Sequence, residues 1–234
     1  PSAGTACPWR QKQADLMTDI PITVVHCDSL EGLEAAVRGG AKRLIFGGES
    51  YTHASFTYET WKKAVAIGHK SNVPVWAGTP RVMKQADTER IRRELQSAIR
   101  AGVDGIYANT PGIFSLVHEE GPNCFIIGDQ YLNIFNSQAA FIYKEVGCSA
   151  ITASCEMTWK QIERLASLQL LPVEVVVAGK AELMITEYCQ IAAHIGTGVK
   201  AGCPSRCVGS RFTWKTAAVN GLKLLRISSV AIIS

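Results

Sequence analysis

The sequence has no run of the roughly 18 to 20 consecutive apolar residues that a bilayer-spanning helix requires; its longest apolar stretches are strand-sized and broken by Gly, Glu or Lys. An integral membrane protein is not expected. Proline is sparse, at 9 of 234 residues, and charged residues make up only 19% against 47% hydrophobic, which excludes a disordered chain. Neither sign of charge dominates: 24 Lys and Arg against 20 Asp and Glu leave a net +4, compatible with an RNA or phosphate-bearing partner but too weak to announce one. There is no initial Met, and PSAGTACPWRQKQ has no apolar core of the kind a secretory signal needs, so the chain reads as an excised piece of something longer with no export address. Also missing are G-x-S-x-G, a Walker loop, H-E-x-x-H, and a G-x-G-x-x-G after the first strand. Serine hydrolase, P-loop, zincin and dinucleotide-binding chemistries lose support accordingly.

From about residue 20, β-branched runs ending in Gly, Asp or Asn alternate with amphipathic stretches, the signature of repeated βα units. Strands are predicted at 22–28, 41–48, 73–78, 104–109, 124–129, 150–154 and 173–179. Helices are predicted from Ser29 as N-cap, then at 57–70, 87–101, 137–146 and 158–168, the last with Trp159, Ile162 and Leu165 as a core-facing stripe. Strands apolar throughout are buried on both faces, so the expected fold is α/β, a (β/α) TIM-type barrel, complete or short of a unit, followed by a cysteine-rich segment. The expected organisation is a linker or remnant of a preceding region (1–20), the barrel (21–185), a cysteine-rich metal-binding segment (186–215) and an aberrant tail (216–234).

In a parallel barrel the site lies at the carboxyl ends of the strands. The polar residues there are Asp28, Glu49, Tyr51, Arg81, Asn109, Asp129, Asn133, Asn136 and Glu156, any of which could instead cap a helix or hold a turn. Cys189, Cys203 and Cys207 form C-x13-C-x3-C in a Gly- and Pro-punctuated segment, where a turn can bring thiolates to one metal. An iron-sulfur cluster usually takes four thiolates, whereas zinc accepts three with one His, and His194 follows Cys189 by five residues, so both metals stay open. Cys7, Cys27, Cys124, Cys148 and Cys155 read as small buried hydrophobes in a reduced cytoplasm.

The run GGES (47–50), the stretch GDQYLNIFNSQAAFIYKEVG (128–147), the Ser154-Cys155-Glu156 step and ELMITEYC (182–189) leading into CPSRC (203–207) resemble the collagenase-like peptidase family of unknown catalytic type, family thirty-two. The resemblance covers roughly residues 20–215 and is closest to long members in which this segment is internal. It implies a bacterial, cytoplasmic protein whose flanking domains are missing here. The older family name implies an endopeptidase that attacks collagen, a hydrolase. Other members resemble iron-sulfur proteins that hydroxylate tRNA uridine or ribosomal RNA cytidine, some with prephenate, or that support oxygen-independent ubiquinone hydroxylation. Clustered thiolates favour the second group, because a protease has no evident need of them.

The resemblance therefore implies an iron-sulfur enzyme of RNA modification by base hydroxylation, with RNA or a small aromatic precursor as substrate. The alternatives are a metal-assisted endopeptidase with a peptide substrate and a non-catalytic barrel fragment. Carried over by residue, Cys189, Cys203 and Cys207 would hold a four-iron four-sulfur cluster, with zinc as the alternative. Asp129, Asn133, Asn136 and Glu156 would line the barrel mouth, and with Glu49 and Arg81 from the strand-end set they are the catalytic candidates. The chain departs from the family pattern at Ala178, where several members have His, and at Glu182, where they have Cys. After Lys215 it lacks the expected fourth cysteine. Restoring one nucleotide after that codon permits a reading that ends in Asp-Gln-Phe-Cys-Arg, with the Cys at the position of Val230, so the tail is expected to be frameshifted and this chain impaired.

Overall fold

A computed structural model describes residues 22–48 and 56–179, together with the backbones of three short strands at 212–214, 222–224 and 229–233. The chain divides into two compact units, Pro1–Gly179 with Ser228–Ser234, and Lys180–Ile227.

In the first unit, seven parallel strands alternate with helices: β1 (Thr23–Cys27), α1 (Leu30–Arg38), β2 (Arg43–Gly47), α2 (Tyr58–Lys70), β3 (Val75–Gly78), α3 (Thr88–Ala101), β4 (Gly105–Ala108), α4 (Gly112–Glu120), β5 (Phe125–Gly128), α5 (Ser137–Glu145), β6 (Cys148–Thr152), α6 (Trp159–Ser167) and β7 (Val173–Gly179). The second unit contains β8 (Phe212–Trp214), paired antiparallel with β9 (Leu222–Leu224). The last strand, β10 (Ser229–Ile233), returns to the first unit and lies antiparallel between β1 and β7, closing the barrel in the order β1-β10-β7-β6-β5-β4-β3-β2. The fold is a TIM-type α/β barrel whose eighth strand runs against the other seven.

The helices begin where short polar side chains can satisfy the free amides of a first turn. Ser29 accepts from Gly32 N at 3.1 Å, Thr57 from Thr60 N at 3.3 Å and Asn136 from Ala139 N at 2.9 Å. Thr158 and Gln161 form a reciprocal capping box at the start of α6. The helix α4 escaped the sequence reading although Ile113, Phe114, Leu116 and Val117 form a buried stripe opposite the exposed Ser115, His118 and Glu119: at nine residues it shows that period for barely two turns. Strand β6 begins at Cys148, two residues before its predicted start.

Alternation along each strand divides the core in two. Val24, Ile45, Trp76, Tyr107, Ile127 and Ala150 point inward and fill the barrel. Leu44, Phe46, Val75, Ile106, Ile126 and Ile151 point outward against the helices. Both faces are therefore apolar, which is why the strand runs read as continuous. The helix α2 lies close to the chain entering β3 at Gly68, where an added Cβ would stand 2.6 Å from the carbonyl oxygen of Val73. Backbone cannot yield cheaply there, so Gly68→Ala is expected to cost about 1 to 3 kcal/mol, read as a lower urea midpoint with an unchanged slope.

Candidate functional site

The barrel interior is not wholly apolar. Arg43 opens β2, and its Nη1 donates to Tyr107 Oη at 3.0 Å and to Glu174 Oε1 on β7. Tyr107 donates in turn to Glu174 Oε2 at 2.8 Å, and Thr152 Oγ1 donates to the same oxygen at 3.3 Å. The guanidinium also lies over the Trp76 ring, 5.1 Å from its centroid. A carboxyl that accepts from three donors is bound as the carboxylate. Burial pushes the Glu174 carboxyl above its ordinary value while Arg43 pulls it down. For Arg43, burial acts to lower the value, but Tyr107 and Glu174 outweigh it and raise the result. Burial, with Glu174 adding to it, also holds the Tyr107 phenol protonated as the donor the network needs.

Side chains at the carboxyl ends of the strands form the mouth above this floor. After β3, Thr79 Oγ1 donates to Tyr107 O at 2.8 Å and accepts from Asn109 N at 3.1 Å. Asn109 Nδ2 donates to Thr79 O at 2.7 Å, while its buried Oδ1 has no hydrogen-bond partner among the described residues. Asp129 is buried after β5; its side chain accepts from Gln130 N at 2.8 Å, and its charge helps raise both Glu174 within the barrel and Cys155 after β6. Ser154 Oγ donates to Asn133 Oδ1 at 3.3 Å, and Cys155 Sγ donates to Gln130 Oε1 at 2.7 Å, so the β5 and β6 loops are tied together. Arg81, after β3, reaches across to Tyr131, its guanidinium 4.3 Å from the ring centroid. On β1, His26 Nε2 lies 2.7 Å from Gly47 O.

Of the six catalytic candidates, Arg81, Asp129 and Asn133 lie on the β3 and β5 loops of this mouth, each with a different contact: Tyr131 for Arg81, Gln130 N for Asp129 and Ser154 for Asn133. Asn136 is exposed and occupied with capping α5, and Glu156 is exposed on the β6 loop with its amide on Ser154 Oγ at 3.3 Å. Glu49, Tyr51, Cys7, Cys189, His194, Cys203 and Cys207 lie outside the described residues. Sequence reasoning missed Thr79, Gln130 and Tyr131 at the mouth and the Arg43, Tyr107 and Glu174 network beneath it. A usable signal existed for the network: Arg43 in RLIFG and Glu174 in VEVVV are charges inside otherwise apolar strands.

Cysteine placement corrects one expectation. Cys27 and Cys148 are buried and Cys124 is half-buried, but Cys155 is exposed at the mouth. Burial pushes Cys27 up to about 11, with Asp28 adding to it, and burial pushes Cys148 up to about 11. Among these four, Cys155 is expected to react first with a thiol reagent in the folded protein at pH 8, as peptide mapping after brief alkylation would show. Because the folded pKa values of Cys27 and Cys148 exceed the ordinary value of 9.0, the stability they contribute is fully present below pH 9 and is lost as pH rises through 11. Among the described residues no group of three His, Cys, Asp or Glu is placed to hold a metal, and no helix is long and apolar enough to cross a membrane.

A family model described as peptidase family U32 matches residues 28–221. The tRNA hydroxylation protein P1 of Bacillus subtilis (strain 168) is 21% identical over 215 residues, covering 89% of this chain and 51% of that protein. The chain thus spans about half the length of the curated relative it matches. Among solved structures, the U32 peptidase Mk0906 superposes with a TM-score of 0.49 at 14% identity, over 64% of this chain and 65% of that one. CutC from Streptococcus agalactiae superposes with a TM-score of 0.51 at 12% identity, over 65% of this chain and 85% of that one, a likeness of fold alone.

Proposed function

This chain belongs to peptidase family U32, and on that premise we propose that it is part of an iron-sulfur-dependent enzyme that hydroxylates a base of tRNA or ribosomal RNA. The observation that carries this reading is the match, over 89% of the chain, to a protein named for tRNA hydroxylation. The mouth is compatible with it: an arginine stacked on a tyrosine offers charge to a phosphate and a planar surface to a base, beside a buried carboxylate at Asp129.

In this reading the cluster is held by Cys189, Cys203 and Cys207. Their chemistry fits it, since soft thiolates select iron-sulfur clusters, and they fill three positions while leaving one for an outside ligand. When bound, the cluster would supply electron transfer. The chain's own residues would bind and orient: Arg81 and Tyr131 would receive the nucleotide, Asn133 is steadied by Ser154, and Asp129 would be the carboxylate that accepts a proton. The Arg43, Tyr107 and Glu174 network closes the barrel below, so the base rests at the mouth and not within the barrel.

Ser154 and Cys155 supply no support for peptidase chemistry, because each donates to an amide oxygen, which takes up no proton. The test is anaerobic purification of the intact parent protein with iron and sulfide analysis, joined to nucleoside analysis of RNA from cells with and without its gene. Iron and sulfide near cluster stoichiometry and a hydroxylated nucleoside lost with the gene are expected. Zinc or no metal, with unchanged RNA, would sink the reading.

A further inference from the structure

Trp159 does not do what its spacing predicts. Ile162 and Leu165 of the same stripe are 8% and 5% exposed, but Trp159 is 63% exposed. It is the first residue of α6, and helix N-termini follow strand carboxyl ends, so its large ring stands in water on the mouth side of the barrel. Phe135, on the β5 loop of the same side, is 37% exposed, and Lys160 beside Trp159 is also exposed. The loops that carry these rings are joined: Arg81 lies over Tyr131, Gln130 next to Tyr131 accepts from Cys155, and the β6 loop then leads into Trp159. One rim therefore runs from Arg81 on the β3 loop to α6, with rings at Tyr131 and Phe135 on the β5 loop and at Trp159 on α6.

We propose that this rim is a stacking track for single-stranded RNA, with the Arg81–Tyr131 pair at its inner end, Phe135 between and Trp159 as the outer platform. The track would hold the nucleotides that flank the one at the mouth, and it rests on the RNA reading above. Every base presents a π-face to an aromatic ring, so the track is tolerant of sequence. Glu156 and Lys160 are both exposed on this rim and offset each other's charge, so stacking supplies more of the energy than charge, and the salt dependence is shallow for an RNA-binding surface. A protein partner or a membrane would also cover an exposed tryptophan, but neither needs the arginine-on-tyrosine pair that ends the row.

The experiment measures binding of a single-stranded oligoadenylate of about 12 nucleotides to the full chain, by tryptophan fluorescence and by an independent anisotropy titration. Quenching is expected in the wild type, and W159A is expected to weaken binding about 5- to 100-fold. W159F should retain most of the affinity while losing most of the quench. Melting temperature should not move in either variant, because the Thr158–Gln161 box that starts the helix is left intact. Duplex RNA of the same length should compete poorly. Wild-type binding that W159A leaves unchanged overturns the track and leaves the hydroxylation reading standing. A wild-type chain that binds no RNA overturns both. Equal competition by duplex RNA overturns the stacking argument, since paired bases offer no free faces.

Discussion

Replacing Arg43 by Met is expected to lower the unfolding free energy by about 3 to 5 kcal/mol, because it leaves the Glu174 carboxylate buried without its cation. Both side chains are almost wholly excluded from water, at 4% and 2% exposure, so solvent cannot take over the pairing. Tyr107 and Thr152 would still donate to Glu174, but hydrogen bonds from neutral groups do not balance a full charge. The double replacement Arg43→Met with Glu174→Leu is expected to recover much of the loss, since no charge then remains in the barrel. Urea unfolding of both variants decides the matter. Equal destabilisation of the single and the double variant would show that packing around Trp76, and not charge pairing, carries the effect. The pH dependence gives a second reading. In the single variant Glu174 keeps a folded-state pKa raised by burial and loses the opposing pull of Arg43, so the folded state binds more protons than the unfolded one. Stability of that variant should therefore rise as pH falls toward the acid range.

Serine at Cys189, Cys203 or Cys207 is expected to lower iron and sulfide bound per chain by at least about tenfold in the intact parent protein and to abolish hydroxylation there. There is no redundancy in either form: removing one leaves two cysteine ligands in this chain, or three where the expected fourth cysteine is restored, for a cluster that ordinarily takes four. Serine at the exposed Cys155 makes a useful contrast. It removes one loop contact to Gln130 and should leave the iron content unchanged. Iron, sulfide and the visible absorption spectrum, taken anaerobically on all four variants, separate the two outcomes. A metal content insensitive to the three cysteines would remove the cluster from the proposed chemistry, and peptidase activity that persists without Cys203 and Cys207 would return attention to peptide hydrolysis.

Much of the barrel could be read from the chain because two signals agree there. Runs such as RLIFG and GIYA are buried on both faces, so they are apolar without interruption, and Ser29, Thr57 and Asn136 mark helix starts with side chains that bond their own first turns. The positions of Arg81, Asp129 and Asn133 beyond the strand ends were also legible, because once the strands are recognised the polar residues that follow them fall on loops at one end of a parallel barrel. The helix α4 was not, since its nine residues show the apolar stripe Ile113, Phe114, Leu116 and Val117 for barely two turns.

What the sequence by itself determined is local or compositional: the βα alternation, the family motifs, the strand-end polar set and the cysteine spacing. Tertiary structure alone decided which distant residues share an environment. Arg43 and Glu174 lie 131 positions apart, and only closure of the barrel sets them in one hydrogen-bonded network. Helical spacing grouped Trp159 with Ile162 and Leu165, but spacing fixes only the angle around a helix. Whether a ring at the first turn lies against the sheet or beyond its edge depends on where the strand below it ends. Closure by β10 is of the same kind, since a strand's edge partners are chosen by the gap that β1 and β7 leave between them and not by anything written within its own five residues.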